Sequence, residues 1–209
     1  DGATDGLEAL EPLDPEKIHS FSELLEAMRK TAFGGRRLGE AYETLAAMIE
    51  DSDCKVVLTL SGAMTIAKMG KIISTMIDRG MVQAIISTGA LVAHGLSESV
   101  GKLHYRHEAS HSDEELFQKG YNRVYDTLEM ESNLNYVEHV VSLTLKRINT
   151  EQPLSSHLLT RELGKTLAEE FEGPGILKSA YLKNVPVYIP AFTDSEMGLD
   201  VGKIGRAHV

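Results

Sequence analysis

The chain has 209 residues, of which 42% are hydrophobic, and its 31 acidic side chains exceed its 21 lysines and arginines, for a formal net charge of -10. This acidity excludes a protein that tracks nucleic-acid phosphates, because such proteins present a basic face. No segment approaches the roughly 20 apolar residues of a membrane-spanning helix, so no membrane association is expected.

Two amphipathic helices are predicted before residue 54. Asp-Pro-Glu at residues 14–16 is a helix start signal, with an N-cap, a proline in the first turn and an acid beside it. Apolar residues then recur at helical spacing over 18–32, and the glycines at 34–35 are expected to end this helix. A second apolar stripe covers 38–49, and the polar residues 51–53 are expected to close it.

From residue 56 the pattern changes to alternating strands and helices. Short continuous apolar runs at 56–60 and 81–86 are typical of strands buried on both faces. Each is followed by a small-residue turn and a helical pattern, at 64–79 and 91–100. Two successive units of this kind predict a parallel sheet. Cys54, the single cysteine, has no partner for an internal disulfide, which fits a cytoplasmic location.

The rest of the chain is predicted to be mostly helical. The expected elements are a capped helix start at 112–115, helices at 136–148, 158–171 and 176–183, and a proline-interrupted strand at 185–191. The whole pattern predicts one α/β domain, a Rossmann-like parallel sheet flanked by helices, incomplete at its C-terminus.

The last residues of the chain are interpreted as a non-native tail. Residues 204–209, Ile-Gly-Arg-Ala-His-Val, match a translated sequencing adapter, and the preceding adapter bases would complete a codon for Lys203. We therefore expect residues 1–202 to be genuine and 203–209 to be a non-native tail.

Small and hydroxylated residues follow three of the predicted strands. The loops are Ser61-Gly62-Ala63, Ser87-Thr88-Gly89 and Phe192-Thr193-Asp194. In open α/β sheets ligands bind outside the carboxyl ends of the strands, so these loops predict a nucleotide or dinucleotide site, with Asp194 accepting from ribose hydroxyls. The alternative is ordinary turn composition. No G-x-G-x-x-G or P-loop motif is present.

Several histidines raise the question of a metal site. His104, His107 and His111 would share one face of a helix, which would suit zinc. Nearby glycine and serine residues instead favour a connecting loop, so no metal site is predicted. His94 differs because it follows the Ser87-Thr88-Gly89 turn closely, and both a site role and a helix-surface position remain open for it.

The acidic excess suggests a cationic ligand such as a polyamine, whose ammonium groups a carboxylate-lined pocket would orient. Glu196 and Asp200 could supply such carboxylates. The alternative is that both are solvated loop residues.

Taken in chain order, several segments resemble deoxyhypusine synthases. The resemblance extends from about Ile18 to Asp200, and its most specific parts are the Ser87-Thr88-Gly89 turn and Pro-Ala-Phe-Thr-Asp at 190–194. The matching segments are residues 24–28, 31–33, 48–49, 61–64, 87–90, 120–124 and 185–194.

This resemblance implies an NAD-dependent transferase. NAD would accept hydride from spermidine, 1,3-diaminopropane would leave, and the aminobutyl group would pass through an imine on an enzyme lysine to a lysine of the hypusine-containing translation factor precursor. It also implies a homotetramer. The implied cofactor-binding residues are Ser61, Gly62, Thr65, Ser87, Thr88, Gly89, His94 and Asp194, and the implied spermidine-binding residue is Asp200.

The chain also departs from the family pattern. Ala93 and His94 stand where the eukaryotic enzymes have two glutamates, which puts that carboxylate contribution in doubt. The family's catalytic lysine and glycine-rich loop follow the segment that matches Asp194, so no catalytic residue is expected in this chain. Two alternatives stay open: transfer to a small amine such as putrescine, as in homospermidine synthases, and a non-catalytic protein that binds NAD or a polyamine.

Overall fold

Two helices form the first of two structural units, Asp1–Val56: α1 (Phe21–Arg29) and α2 (Phe33–Glu50). Asp14 caps only a short 3-10 turn, and α1 begins after Ser20, whose hydroxyl accepts the backbone N–H of Glu23. The predicted stop at the glycine pair is wrong, because Gly34 and Gly35 lie in the first turn of α2.

The structure, a computed structural model, describes residues 2, 4–148 and 153–206, without the side chains of Asp194 and of residues 203–206. The second unit is Val57–Val209. Its elements are β1 (Val57–Leu60), α3 (Ala63–Ile66), α4 (Gly70–Asp78), β2 (Ala84–Ser87), α5 (Gly89–Ser99), β3 (His104–Arg106), α6 (Asp113–Gln118), β4 (Tyr121–Val124), β5 (Thr127–Met130), α7 (Glu131–Leu145), α8 (Ser156–Glu170), α9 (Ile176–Leu182), β6 (Val187–Tyr188) and α10 (Glu196–Arg206).

The expected parallel sheet forms in the second unit, in the strand order β1-β2-β6, with helices around it. The predicted α/β class is therefore confirmed. The expectation that both faces are buried is wrong for one of them: Val57 is 50% and Ile86 39% exposed, whereas Ile85 and Val187 are buried on the other face.

A second, antiparallel sheet was missed by the sequence patterns. Its strand order is β3-β5-β4, and it occupies the region expected to be a loop followed by helix. These strands have only three or four residues and carry polar side chains, so they lack the apolar alternation that identifies a half-buried strand.

One predicted helix is divided in the structure. The pattern over 64–79 forms two helices, α3 and α4, because Lys68 adopts a left-handed backbone conformation with φ 63° between them. By contrast, the predicted helix at 91–100 is confirmed as α5. Residues 204–206 continue α10, residues 207–209 lie outside the described part, and the expected boundary after residue 202 stays a prediction.

The hydrophobic core of the second unit lies between the parallel sheet and its helices. Its fully buried side chains include Ile77, Ile85, Leu96, Leu163 and Met197, from α4, β2, α5, α8 and α10. Burying each such side chain contributes about 1.5–3 kcal/mol, which holds α5 and α10 against the sheet. Within the described residues, no helix is both long and apolar enough to cross a bilayer.

The α1–α2 pair provides a test of close helix packing. A Cβ at Gly39 would lie 2.4 Å from the Arg29 backbone nitrogen, whereas a Cβ at Gly34 would meet nothing within 4 Å. We expect Gly39→Ala to destabilise the first unit by about 1–3 kcal/mol. Gly34→Ala in the same helix should be neutral or stabilising by about 0.4–1 kcal/mol. Urea unfolding followed by circular dichroism measures both, and equal midpoints would contradict this packing.

Candidate functional site

The carboxyl ends of the parallel strands meet at one edge, as the sequence predicted. The backbone N–H of Gly62, after β1, donates to Thr88 Oγ1, after β2, at 3.1 Å. Ser87 Oγ donates to the carbonyl of Leu60 at 2.9 Å. These cross-strand bonds hold the first two strand-end loops together.

Two glycines at this edge are required by packing. A Cβ at Gly62 would lie 2.4 Å from the Cβ of Ala90, and a Cβ at Gly89 would lie 2.0 Å from the Cβ of Ser195. The space beside both α-carbons is thus filled by the chain itself. The third strand-end segment packs directly on α5 through the Gly89–Ser195 contact.

The other predicted loop residues divide into buried and exposed positions. Thr65 is fully buried, and its hydroxyl donates to the carbonyl of Gly62 at 2.9 Å, so it braces the first loop. Ser61 and Thr88 are exposed, while Ser87 is buried. The exposed hydroxyls of the predicted loops include those of Ser61, Thr88 and Thr193. The side chain of Asp194 lies outside the described part of the chain.

His94, on the helix that begins at this edge, reaches a buried carboxylate. Its Nδ1 lies 2.6 Å from Glu129 Oε2, and Glu129 is only 2% exposed. Ser97 Oγ, also on α5, donates to Glu129 Oε1 at 2.8 Å. His104 Nε2 approaches the same oxygen at 3.4 Å. Polar side chains from α5 and β3 therefore converge on one carboxylate of β5.

These contacts determine the protonation of Glu129. Burial opposes its charge, but the nearby His104 imidazole and the hydrogen bonds with His94 and Ser97 outweigh burial and lower the pKa of the Glu129 carboxyl from 4.5 to about 2. Glu129 is therefore an anion at neutral pH, and it makes the cluster a fixed negative site.

The disfavoured alternative, in which His104, His107 and His111 share one face of a helix, is not what the structure shows, because none of the three lies in a helix. His104 lies on β3 and points towards Glu129, whereas His107 and His111 lie in the following loop, where His107 Nε2 is 3.3 Å from the His111 carbonyl. Within the part of the chain that the structure describes, potential metal-ligand atoms of His94, His104 and Glu129 come within 4.8 Å of one another. Glu129 was missed because it lies 35 residues from His94 in sequence.

Two further carboxylates lie on α10, and one of them, Glu196, interacts electrostatically with this cluster. Glu196 and Asp200 are one helical turn apart, in a helix rather than in the expected loop, and Asp200 is 5% exposed. Burial raises the pKa of the Glu196 carboxyl, the charge of Asp200 raises it further, and His94 opposes this rise. His94 therefore lies close enough to α10 to interact electrostatically with Glu196.

A cavity elsewhere has a volume of about 290 Å³ and is lined by residues that include His157, Tyr181 and Tyr188. None of the predicted site residues lines it. The convergent hydroxyls and carboxylates at the strand ends thus identify the better candidate site.

Comparison with known proteins points to one family. The family model for deoxyhypusine synthase matches residues 23–206. A probable deoxyhypusine synthase 2 of Methanosarcina acetivorans is 37% identical over 192 residues, which cover 90% of this chain and 54% of that protein. A deoxyhypusine synthase-like protein of Elusimicrobium minutum is 31% identical, with 91% and 52% covered. The chain spans about half the length of these relatives.

The fold comparison agrees in architecture. A crystal structure described as a candidate deoxyhypusine synthase from Entamoeba histolytica matches with a TM-score of 0.64 at 14% identity, covering 95% of this chain and 70% of that one. At this identity the match shows a shared fold.

The buried Glu129 carboxylate predicts a specific pH dependence of stability. Because its folded-state pKa is lowered, its contribution is complete above pH 4.5 and is lost as pH falls towards 2. We expect Glu129→Gln to cost about 3 kcal/mol at pH 7, with the difference from wild type shrinking below pH 4.5. Urea unfolding at pH 7, 4 and 3 measures this.

Glu108→Gln, in the exposed loop, is the matched control and should follow the wild type at every pH. A Glu129→Gln deficit that stays constant down to pH 3 would show that the carboxylate is not held as an anion by its neighbours.

Proposed function

Because this chain belongs to the deoxyhypusine synthase family, we propose that it is part of an NAD-dependent transferase acting on spermidine. The aminobutyl group of spermidine would pass to a lysine of the hypusine-containing translation factor precursor. The observation that carries this proposal is the family match over residues 23–206, and the polar edge of the parallel sheet is consistent with it.

The strand-end edge suits a dinucleotide. The exposed hydroxyls of Ser61 and Thr88 can donate to phosphate or ribose oxygens, and α5 begins beside them with the positive end of its dipole. Gly62 and Gly89 allow the loops to lie close together there. The hydroxyls of Thr65 and Ser87 hold them in place by donating to the backbone carbonyls of Gly62 and Leu60. The bound dinucleotide would supply the hydride acceptor.

The α10 carboxylates suit the polyamine. Glu196 and Asp200 project from consecutive turns, and Glu129 adds a third negative charge behind His94. The ammonium groups of a flexible polyamine interact most strongly with carboxylates that are already partly desolvated. Burial raises the pKa of the Glu196 carboxyl and the charge of Asp200 raises it further, so a cation bound beside them would favour the ionised form.

Ala93 and His94, which stand where the eukaryotic enzymes have two glutamates, differ in their surroundings. Ala93 is buried at 3% exposure, so no side chain at that position reaches the site in this chain. His94 instead connects to Glu129, which delivers a carboxylate from the antiparallel sheet. We therefore assign to Glu129 the negative charge that Ala93 and His94 do not provide.

The full-length gene product should release 1,3-diaminopropane from spermidine in the presence of NAD. Chromatography of the released amine, with the translation factor precursor or putrescine as acceptor, tests this. Stable labelling of the precursor supports the proposal, and labelling of putrescine alone would replace it with homospermidine synthesis. Absence of 1,3-diaminopropane with both acceptors would exclude the whole class. Assembly as a tetramer and a cytoplasmic location belong to the same proposal.

The 209-residue chain by itself should bind NAD poorly and show no turnover, because it corresponds to about half of the related proteins. Isothermal titration calorimetry with NAD measures the affinity. Tight binding to this chain would mean that the strand-end loops form a sufficient site without the rest of the protein.

In the full-length protein, Glu196→Gln should raise the KM for spermidine by about 3–10-fold, because it removes one carboxylate that faces the cation. The matched control is Glu114→Gln, an exposed acid on α6. Equal KM values for the two variants would contradict a polyamine site on α10.

A further inference from the structure

Building on the proposed function, we propose that His94 is a catalytic residue that accepts a proton from the substrate amine at Nε2, with Glu129 and His104 as positioning residues. The assignment follows from the direction of each hydrogen bond in one connected series of side chains.

The series begins at Lys68. Its Nζ lies 2.9 Å from His104 Nδ1 and 3.2 Å from Glu98 Oε1. A lysine ammonium can only donate, so His104 Nδ1 must accept. The single imidazole proton of a neutral His104 is therefore on Nε2.

The second step leads from His104 to Glu129. The His104 side chain is 1% exposed, and its Nε2 has no partner within ordinary hydrogen-bond geometry among the described residues. This nitrogen faces Glu129 Oε1 at 3.4 Å. A buried N–H aimed at a carboxylate stabilises the anion, and Ser97 donates to the same oxygen.

The third step fixes the tautomer of His94. Glu129 is an acceptor, so His94 Nδ1, at 2.6 Å, carries the proton and donates it. The Nε2 atom of a neutral His94 then bears a lone pair. A carboxylate that holds Nδ1–H in this way orients the ring and stabilises the imidazolium that forms when Nε2 takes up a proton.

Carboxylates from two elements, β5 and α10, lie near His94. Glu129 from β5 and His104 from β3 lie against His94, and Glu196 from α10 interacts with it electrostatically, while Glu131 on α7 and Asp200 on α10 interact in turn with Glu196. Four of these five are carboxylates. His94 is partly exposed, at 18% of its side chain, so a ligand held by α10 can reach it.

Proton transfer from the substrate amine to His94 would precede the loss of hydride. A secondary ammonium of spermidine cannot lose hydride from its neighbouring carbon until the nitrogen gives up a proton. That proton would pass to His94 Nε2, and the nitrogen lone pair would form the C=N bond as the carbon loses hydride, for which a bound dinucleotide would supply the acceptor. The imidazolium of His94 can return its proton to the departing 1,3-diaminopropane.

The same three side chains bring potential metal-ligand atoms within 4.8 Å of one another. Lys68 opposes that use, because an imidazole whose Nδ1 accepts from an ammonium has its proton on Nε2, the atom a metal would need. Zinc would require both imidazoles to exchange tautomers and Lys68 to move away.

Nitrogen-15 NMR of the imidazole rings of the 209-residue chain tests the tautomers directly. We expect His94 with the proton on Nδ1 and His104 with the proton on Nε2, and loss of the His94 preference in Glu129→Gln. A His94 ring protonated on Nε2 would overturn the proposal. Equimolar Zn²⁺ that shifts both rings together would also overturn it, in favour of a metal site.

The full-length protein tests the catalytic step. His94→Gln should lower kcat for 1,3-diaminopropane release by about 100-fold or more, whereas His139→Gln on the exposed face of α7 should not. Glu129→Gln should move the acidic limb of the kcat profile to lower pH, since the imidazolium loses its carboxylate. An active wild type with an equally active His94→Gln variant would overturn this role alone. An inactive wild type would overturn the proposed function, and this role with it.

Discussion

A buried carboxylate has to be hydrogen-bonded or neutralised, and this constraint joins the two sheets of the second unit. Glu129 lies on the antiparallel sheet, and its oxygens are reached by His94 and Ser97 on the helix that follows the central parallel strand. Removing any one donor would leave charge in a poorly solvated place, at a cost of about 1–3 kcal/mol. The position of β5 relative to α5 is thus determined by polar contacts as well as by apolar packing.

The same helix links this cluster to the strand ends. Gly89 begins α5 in contact with Ser195, so the third strand-end segment is fixed close to the first turn of α5. α10 starts immediately afterwards and brings Glu196 and Asp200 towards His94. One helix therefore carries a hydroxylated edge at its N-terminus and a histidine one turn later, which places a proton acceptor beside the region where a dinucleotide would lie.

The sequence predicted those features of the fold that arise from local residue patterns. Two consecutive strand-turn-helix units specified the parallel order of β1 and β2, and the small residues after them specified where the loops would meet. It failed where a single residue changed the backbone, as at Lys68, and where strands were too short and polar to show alternation, as in β3. His104 was noticed, but with the wrong neighbours, because its partner Glu129 is 25 positions away and pairs with it only through strand register.

Three of the acidic residues of the chain lie close together, which gives its negative charge a local role. A net charge of -10 spread over a surface mainly keeps a protein dispersed, but Glu129, Glu196 and Asp200 are held near one histidine at the edge of a core. Burial and the charge of Asp200 both raise the pKa of the Glu196 carboxyl, so a cation bound among these carboxylates would stabilise their ionised forms. A neutral His94 that takes a proton from a bound ammonium, as proposed above, would become such a cation. Binding a polyamine and accepting its proton would then be two consequences of one local excess of negative charge.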